Sequence, residues 1–292
     1  MTYPKLEQFV APAKARSEVW RTVLGTLGIA VLYVGLLQIG LYALAMAFPG
    51  IAFMQIVTEM ASGSTPRGMA ALFLTFVPMV LGVGFVTRRL HTRPLRSLLG
   101  TGAATQFRRA VLPLLALAFL VFPIGLTDEQ VAHSTGLGTV LAWLPLAMPL
   151  LLLQVGAEEL VFRGYLLQQL GARSQNPLLW MVLPSALFGA LHYSSADFGP
   201  NAIWLTIWAT IFGCFAADLT ARSGSLGPAL ALHFATNFSG MVLIGQYGNL
   251  DGLALYTLVI DVTDFSMLAP YLALDFVAMG VSWLLIRLVM RL

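Results

Sequence analysis

Long apolar runs separated by short polar stretches dominate this chain from end to end. Eight of these runs approach or exceed the length of about 20 residues that crosses about 30 Å of hydrocarbon, namely 22–48, 69–87, 107–126, 139–170, 178–194, 202–221, 226–246 and 270–290. Their apolar residues surround each predicted helix instead of forming one stripe, which is not the pattern of a surface helix. The pattern predicts an all-α, polytopic membrane bundle of about eight transmembrane helices.

The composition indicates the same class of protein. Hydrophobic residues make up 58% of the chain and charged residues only 10%, whereas soluble domains carry about 25% charged residues. The first apolar run, from Thr22 to Phe48, is too long for the core of a signal peptide, which spans about 7–15 residues. We therefore expect a single membrane domain over residues 1–292, with the first run retained as a helix.

The basic residues predict how the helices are oriented. Lys and Arg are enriched in cytoplasmic loops, and the segment 88–109 is dense in arginine, with Arg88, Arg89, Arg93, Arg96, Arg108 and Arg109. Placing this segment and both termini in the cytoplasm leaves only Arg67 outside. The formal net charge of +3 reflects these loops, so we expect no nucleic-acid partner.

Three charged residues interrupt the fourth apolar run, in the sequence AEELVFRG. Glu159 and Arg163 are spaced i, i+4 and can pair on one helix face, whereas Glu158 is turned from Glu159 by about 100°. Ionisable residues inside a membrane are costly and by default indicate a functional site. The run continues with apolar residues to Gly171, so these charges do not mark the end of a helix.

Two further segments place polar residues beside these charges. Glu158 and His192 lie at equal separations of 17 residues (175 − 158 and 192 − 175) on either side of Gln175, where the chain is predicted to turn. A helical hairpin would bring the two side chains level. In LHFATN, His233 and Asn237 are spaced i, i+4 and share a helix face.

These residues resemble a known motif set. EELVFR resembles the EExxxR motif of the CAAX protease and bacteriocin-processing family, within the type II CAAX prenyl endopeptidases that include Ras-converting enzyme. FGALH (residues 188–192) resembles the family's FxxxH element, and HFATN (residues 233–237) resembles its HxxxN element. The three motifs occur in the family's order, so residues 139–245 are the predicted catalytic helices.

The resemblance implies a glutamate-dependent intramembrane endopeptidase that needs no cofactor. Glu158 would be the general base that activates water, and His192 would hold and polarise that water. His233 and Asn237 would donate hydrogen bonds to the developing oxyanion.

The resemblance also implies a supporting set and a location. Glu159 and Arg163 would form a supporting pair, and Phe188 would pack beside the site. The expected partners are the lipid bilayer and a membrane-associated protein or peptide substrate, of which prenylated CAAX proteins are the family's type. The expected location is the plasma membrane in a prokaryote and the endoplasmic reticulum in a eukaryote.

Three alternatives remain open at this point. Glu158, His192 and His233 could instead form a zinc site with two histidines and one carboxylate. Relatives linked to bacteriocin immunity or scaffolding are not proteases, and a transporter could also hold buried charges, although no internal repeat supports that function.

Outside the motifs, the remaining polar residues suggest no chemistry. His91 and His133 are predicted to be solvated in loops, and Asp128, Glu129 and His133 to form a solvated acidic turn. Asp218 is predicted to pair with Arg222 at i, i+4, and the partly apolar loop 248–268 to lie at the outer interface.

Overall fold

The computed structural model describes residues 3–292 as a bundle of helices. In the first part of the chain these are α1 (Leu6–Val10), a 3₁₀ turn (Ala11–Arg16), α2 (Val19–Ala47), α3 (Ile51–Ser62), α4 (Pro66–Leu74), α5 (Val77–His91), a second 3₁₀ turn (Leu95–Leu98) and α6 (Ala103–Gly125).

The second part of the chain contains the motif helices and a small sheet. Its elements are β1 (Val131–His133), α7 (Leu137–Glu159), a π-helical segment (Leu160–Leu166), α8 (Leu167–Gly171), a second π segment (Leu178–Val182), α9 (Leu183–Ala190), α10 (Ser195–Phe198), a 3₁₀ turn (Gly199–Asn201), α11 (Ala202–Ser223), α12 (Gly227–Phe238), a third π segment (Ser239–Leu243), β2 (Ile244–Gln246), β3 (Tyr256–Leu258) and α13 (Phe265–Met290).

The predicted class is confirmed: the chain is an integral, multi-pass membrane protein. Among the described residues, six helical stretches are long and apolar enough to cross a membrane, namely Val19–Ala47, Pro66–His91, Ala103–Gly125, Leu137–Gly171, Ser195–Ser223 and Phe265–Met290. The predicted spans 178–194 and 226–246 correspond to shorter helices, Leu178–Ala190 and α12 with its π segment. The cytoplasmic placement of both termini stays a prediction.

Small residues bring the motif helices close together. α9 packs against α11, and a Cβ added to Gly213 would lie 2.7 Å from the Cβ of Ser185 and 3.0 Å from Nη2 of Arg163. Such distances are below ordinary van der Waals contact, so a larger side chain would push the helices apart. Gly213 therefore makes the space that Arg163 occupies.

The prediction for His91 was wrong, because the N-terminal segment folds over it. His91 is the last residue of α5 and is 2% exposed. Its Nε2 lies 2.9 Å from the hydroxyl of Tyr165, and its Nδ1 lies 2.8 Å from the carbonyl oxygen of Arg16. This contact joins positions that are distant in sequence, so no local pattern indicated it. His133, by contrast, is exposed in β1.

Asp218 and Arg222 form the predicted pair, with Nε and Oδ2 at 2.8 Å. The same carboxylate also accepts hydrogen bonds from the hydroxyl of Tyr3 at 2.9 Å and from the indole of Trp283 at 3.0 Å. Burial and the Asp218 carboxylate raise the pKa of Tyr3 to about 12. The phenol therefore stays protonated at neutral pH and can donate, which ties the N-terminal segment to α11.

The loop 248–268 takes part in a three-stranded sheet of order β1–β3–β2. β3 pairs antiparallel with β1, with Ala132 opposite Thr257, and parallel with β2, with Gly245 opposite Thr257. The sheet joins the chain segments that follow α6 and α12. Its position at the outer interface stays a prediction.

Two glycines of α2 provide a matched test of the contact with Tyr165. A Cβ at Gly25 would collide with the Tyr165 hydroxyl, whereas a Cβ at Gly40 would meet nothing within 4 Å. We expect Gly25→Ala to lower stability by about 1–3 kcal/mol, as overpacking typically does. Gly40→Ala should leave stability unchanged or raise it, because alanine favours helix. Thermal unfolding in detergent measures both, and equal melting temperatures would contradict this packing.

Candidate active site

The centre of the candidate site is a buried ion pair between Glu159 and Arg163. Nη1 of Arg163 lies 2.9 Å from Oε1 of Glu159, and the two side chains are 2% and 0% exposed. The i, i+4 contact predicted from the sequence is therefore present. The π-helical segment Leu160–Leu166 begins directly after Glu159. Segments of this kind are rare and occur frequently at functional sites.

His233 joins this pair to the neighbouring glutamate. Its Nδ1 lies 2.8 Å from Oε1 of Glu159, and its Nε2 lies 3.4 Å from Oε2 of Glu158. The sequence predicted that Glu158 and Glu159 point in different directions. They do so, but one imidazole ring from α12 reaches both of them.

The two contacts of His233 differ in strength. The contact with Glu159 has the length of a charge-assisted hydrogen bond, whereas 3.4 Å to Glu158 is long for a hydrogen bond. Oε2 of Glu158 is buried and has no hydrogen-bond partner among the described residues. With Nδ1–H directed at Glu159, Nε2 of His233 is turned toward the unpaired oxygen of Glu158.

Gln154 is part of the site and was missed by the sequence analysis. Nδ2 of Asn237 donates to Oε1 of Gln154 at 3.0 Å, and Gln154 is 7% exposed. Gln154 precedes Glu158 by one helical turn on α7, as His233 precedes Asn237 on α12. The two helices thus contact each other at two levels, one turn apart. Gln154 lies against Asn237, and Glu158 lies against His233. The sequence feature that could have indicated Gln154 is a glutamine in an otherwise apolar run, four residues before Glu158.

His192 reaches the site through Phe188. Nδ1 of His192 donates to the carbonyl oxygen of Phe188 at 2.8 Å, so the neutral ring carries its lone pair on Nε2. The rings of Phe188 and His192 have centroids 4.4 Å apart, and those of Phe188 and His233 are 6.0 Å apart. Phe188 therefore packs beside the site, as the motif implied, and lies between the two histidines.

Aromatic rings also cover the Arg163 guanidinium. Its Cζ lies 4.6 Å from the ring centroid of Phe188 and 6.0 Å from that of Phe212. Aromatic faces stabilise a desolvated cation. They also exclude lipid and water, which strengthens the ion pair with Glu159.

The structure brings most of the predicted residues into one connected set. Glu158, Glu159, Arg163 and His233 are in direct contact, Asn237 lies one turn away, and His192 adjoins through the ring of Phe188. The exposed turn with Asp128, Glu129 and His133 lies outside this set. Within residues 3–292, no three His, Cys, Asp or Glu side chains are grouped so that they could hold a metal ion.

Residues 139–239 match the family described as Type II CAAX prenyl endopeptidase Rce1-like. The match covers α7 to α12 and therefore every residue of the connected set. This part of the chain is therefore similar to the Rce1-like family.

The likeness to known proteins extends beyond the Rce1-like segment. The chain is 26% identical over 258 residues to the uncharacterized protein YyaK of Bacillus subtilis (strain 168), which covers 85% of this chain and 85% of that protein. No solved structure matches the chain. The similarity thus extends beyond residues 139–239 in at least one relative, whose name gives no activity.

The two adjacent glutamates of the Rce1-like segment should differ in their effect on stability. Glu159→Gln leaves the Arg163 charge buried without a counterion, and breaking such a pair costs about 3–5 kcal/mol. Glu158→Gln removes only a long contact from a side chain that is 14% exposed, so the melting temperature should change little. Thermal unfolding of both variants in the same detergent measures the difference. Equal losses would mean that Glu159 is not the structural member of the pair.

Proposed function

We propose that the chain is an intramembrane endopeptidase in which Glu158 activates water to hydrolyse a peptide bond of a membrane-associated substrate. The observation that carries this proposal is the unequal environment of two adjacent glutamates. Glu159 is committed to Arg163 and His233, whereas Oε2 of Glu158 has no hydrogen-bond donor within residues 3–292. A general base needs such a free oxygen within reach of the water that it deprotonates.

The proposed reaction begins with a water molecule that donates one hydrogen bond to Glu158 and another to Nε2 of His192. Its oxygen attacks the substrate carbonyl carbon while its proton passes to Glu158. The resulting tetrahedral intermediate carries the negative charge on the former carbonyl oxygen. Glu158 then gives the proton to the leaving nitrogen, and the C–N bond breaks. The carboxylate is thereby restored.

The oxyanion would be stabilised from α12. An asparagine amide has two N–H groups, and Gln154 accepts only one of those of Asn237, so the other can donate to the oxyanion. His233 can donate through Nε2 when both of its ring nitrogens are protonated, because Nδ1–H then still donates to Glu159. Removing one donor of this kind typically costs about 10²–10³ in rate. Gln154 would act as a positioning residue by fixing the Asn237 amide.

Similarity to this family defines the substrate class that we propose. The Rce1-like family is named for CAAX prenyl endopeptidases, so peptides with a prenylated cysteine near the carboxyl terminus are the first substrates to test. A membrane-embedded site would meet such a peptide through its lipid anchor. Whether the substrate of this chain is prenylated is part of the proposal.

The test compares hydrolysis by the wild type, Glu158→Gln and Glu129→Gln, using prenylated and unprenylated CAAX-type peptides in liposomes. Loss of a general base typically costs about 10²–10⁴ in rate, and Glu158→Gln keeps the shape of the side chain. Glu129 is exposed in the turn before β1, so Glu129→Gln should cleave like the wild type. Glu158→Gln should fold but show a rate reduced to that extent.

Metal measurements distinguish this mechanism from the zinc alternative. In the glutamate mechanism, chelator and added zinc leave the wild-type rate unchanged, and purified protein contains no stoichiometric metal. Loss of activity in chelator with recovery on adding zinc, together with one zinc per chain, would assign Glu158, His192 and His233 to a metal site. The folded wild type should also be tested on peptides from its own membrane fraction. If it cleaves none of them, a non-proteolytic role is favoured.

A further inference from the structure

An acidic residue in α13, Asp275, lies within a membrane-spanning helix and outside the candidate active site. It follows Phe265, the first residue of α13, by ten positions (275 − 265), which is about 15 Å of helix. Asp275 therefore lies within the candidate membrane span Phe265–Met290 and not in its first turns. No described residue donates a hydrogen bond to Asp275 or forms an ion pair with it. Intramembrane acidic residues normally have a partner.

Asp275 lines a cavity of about 200 Å³ between α11, α13 and the sheet. The cavity walls combine apolar side chains with a small number of polar ones, and the latter are Asn201, Trp208, Gln246, Tyr271 and Asp275. Asp275 is itself exposed at the protein surface. The cavity is therefore open on the side of α13, where the surrounding medium is lipid. A concave, mainly apolar cavity with few polar groups is the usual form of a small-molecule site.

Some polar groups of this cavity have hydrogen-bond partners within residues 3–292 and others have none. The Asn201 amide donates to the carbonyl oxygen of Val262, and the Tyr271 hydroxyl donates to Asp128. By contrast, Nε1 of Trp208 is buried and has no hydrogen-bond partner in the described part of the chain, and Trp208 lines the same cavity as Asp275. A buried donor without an acceptor is destabilising. The cavity thus offers the unpaired carboxyl group of Asp275 and the unpaired N–H of Trp208.

We propose that this cavity binds an amine-headed amphiphile that enters from the membrane. A protonated amine would pair with the Asp275 carboxylate and lie against the indole of Trp208, because a cation is attracted to an aromatic face. An oxygen next to the amine would accept from Nε1 of Trp208. The alkyl chain would leave through the open side of the cavity into lipid, which favours amphiphiles over water-soluble amines.

Two stacked aromatic rings separate the cavity from the candidate active site. The rings of Trp208 and Phe212 stack with centroids 5.6 Å apart, and Phe212 lies 5.0 Å from the ring of His233. A ligand against Trp208 would therefore contact the outer side of the ring pair whose inner side covers His233. The binding proposal does not depend on the proposed function, since it concerns residues outside the catalytic set.

The experiment measures equilibrium binding of radiolabelled dodecylamine to the full chain in phosphatidylcholine nanodiscs, with empty nanodiscs subtracted. We expect saturable binding of one dodecylamine per chain. Asp275→Asn should weaken it by about tenfold or more, because the variant removes one partner of a desolvated charge pair. Dodecanol has the same alkyl chain without a positive charge. Its affinity for the wild type should be no higher than the affinity of dodecylamine for Asp275→Asn.

Two variants serve as controls. Glu129→Gln removes an exposed acidic group from the turn before β1 and should bind dodecylamine like the wild type. Trp208→Phe keeps an aromatic ring and should retain most of the affinity for dodecylamine. If Asp275→Asn does not fold, the test is the comparison of Trp208→Ala with Trp208→Phe, and Trp208→Ala must then bind dodecylamine more weakly. Equal binding of dodecylamine by wild type and folded Asp275→Asn, or by Trp208→Ala and Trp208→Phe, would overturn the proposal.

Discussion

The arrangement of the site depends on one fully buried carboxylate. Glu159 accepts from Arg163 on its own helix and from His233 on α12. Removing a carboxylate from water costs free energy unless close partners compensate it. Burial of Glu159 is therefore stable only because α7 and α12 place Arg163 and His233 against it. Aromatic rings around Arg163 and the absence of a side chain at Gly213 complete this environment.

Glu158 obtains its chemical character from this arrangement. Because Glu159 holds Nδ1 of His233, the ring is oriented with Nε2 toward Glu158. One turn along the two helices, Asn237 and Gln154 form a second contact, a hydrogen bond between their amide groups. The two glutamates therefore have separate tasks, one in holding the helices together and one in the proposed chemistry, although they are adjacent in sequence.

The sequence predicted local contacts well and long-range ones poorly. Glu159 with Arg163 and Asp218 with Arg222 were predictable because helical spacing alone brings such pairs together. The burial of His91 under the N-terminal segment and the contact of Gln154 with Asn237 depend on how distant helices pack, which no periodicity encodes. The spans 178–194 and 226–246 were overestimated in length, because hydrophobicity does not reveal where π segments and turns end a helix.

The central claim is that Glu158 and His192 act on the same water molecule. A double-mutant cycle on the turnover number tests it most directly, with Glu158→Gln, His192→Gln and the double variant compared under conditions where all are folded. Residues that act as a unit show strongly non-additive losses. We expect the double variant to be no slower than Glu158→Gln within about threefold. A double variant whose loss is the product of the two single losses would contradict the claim, because the two side chains would then act independently.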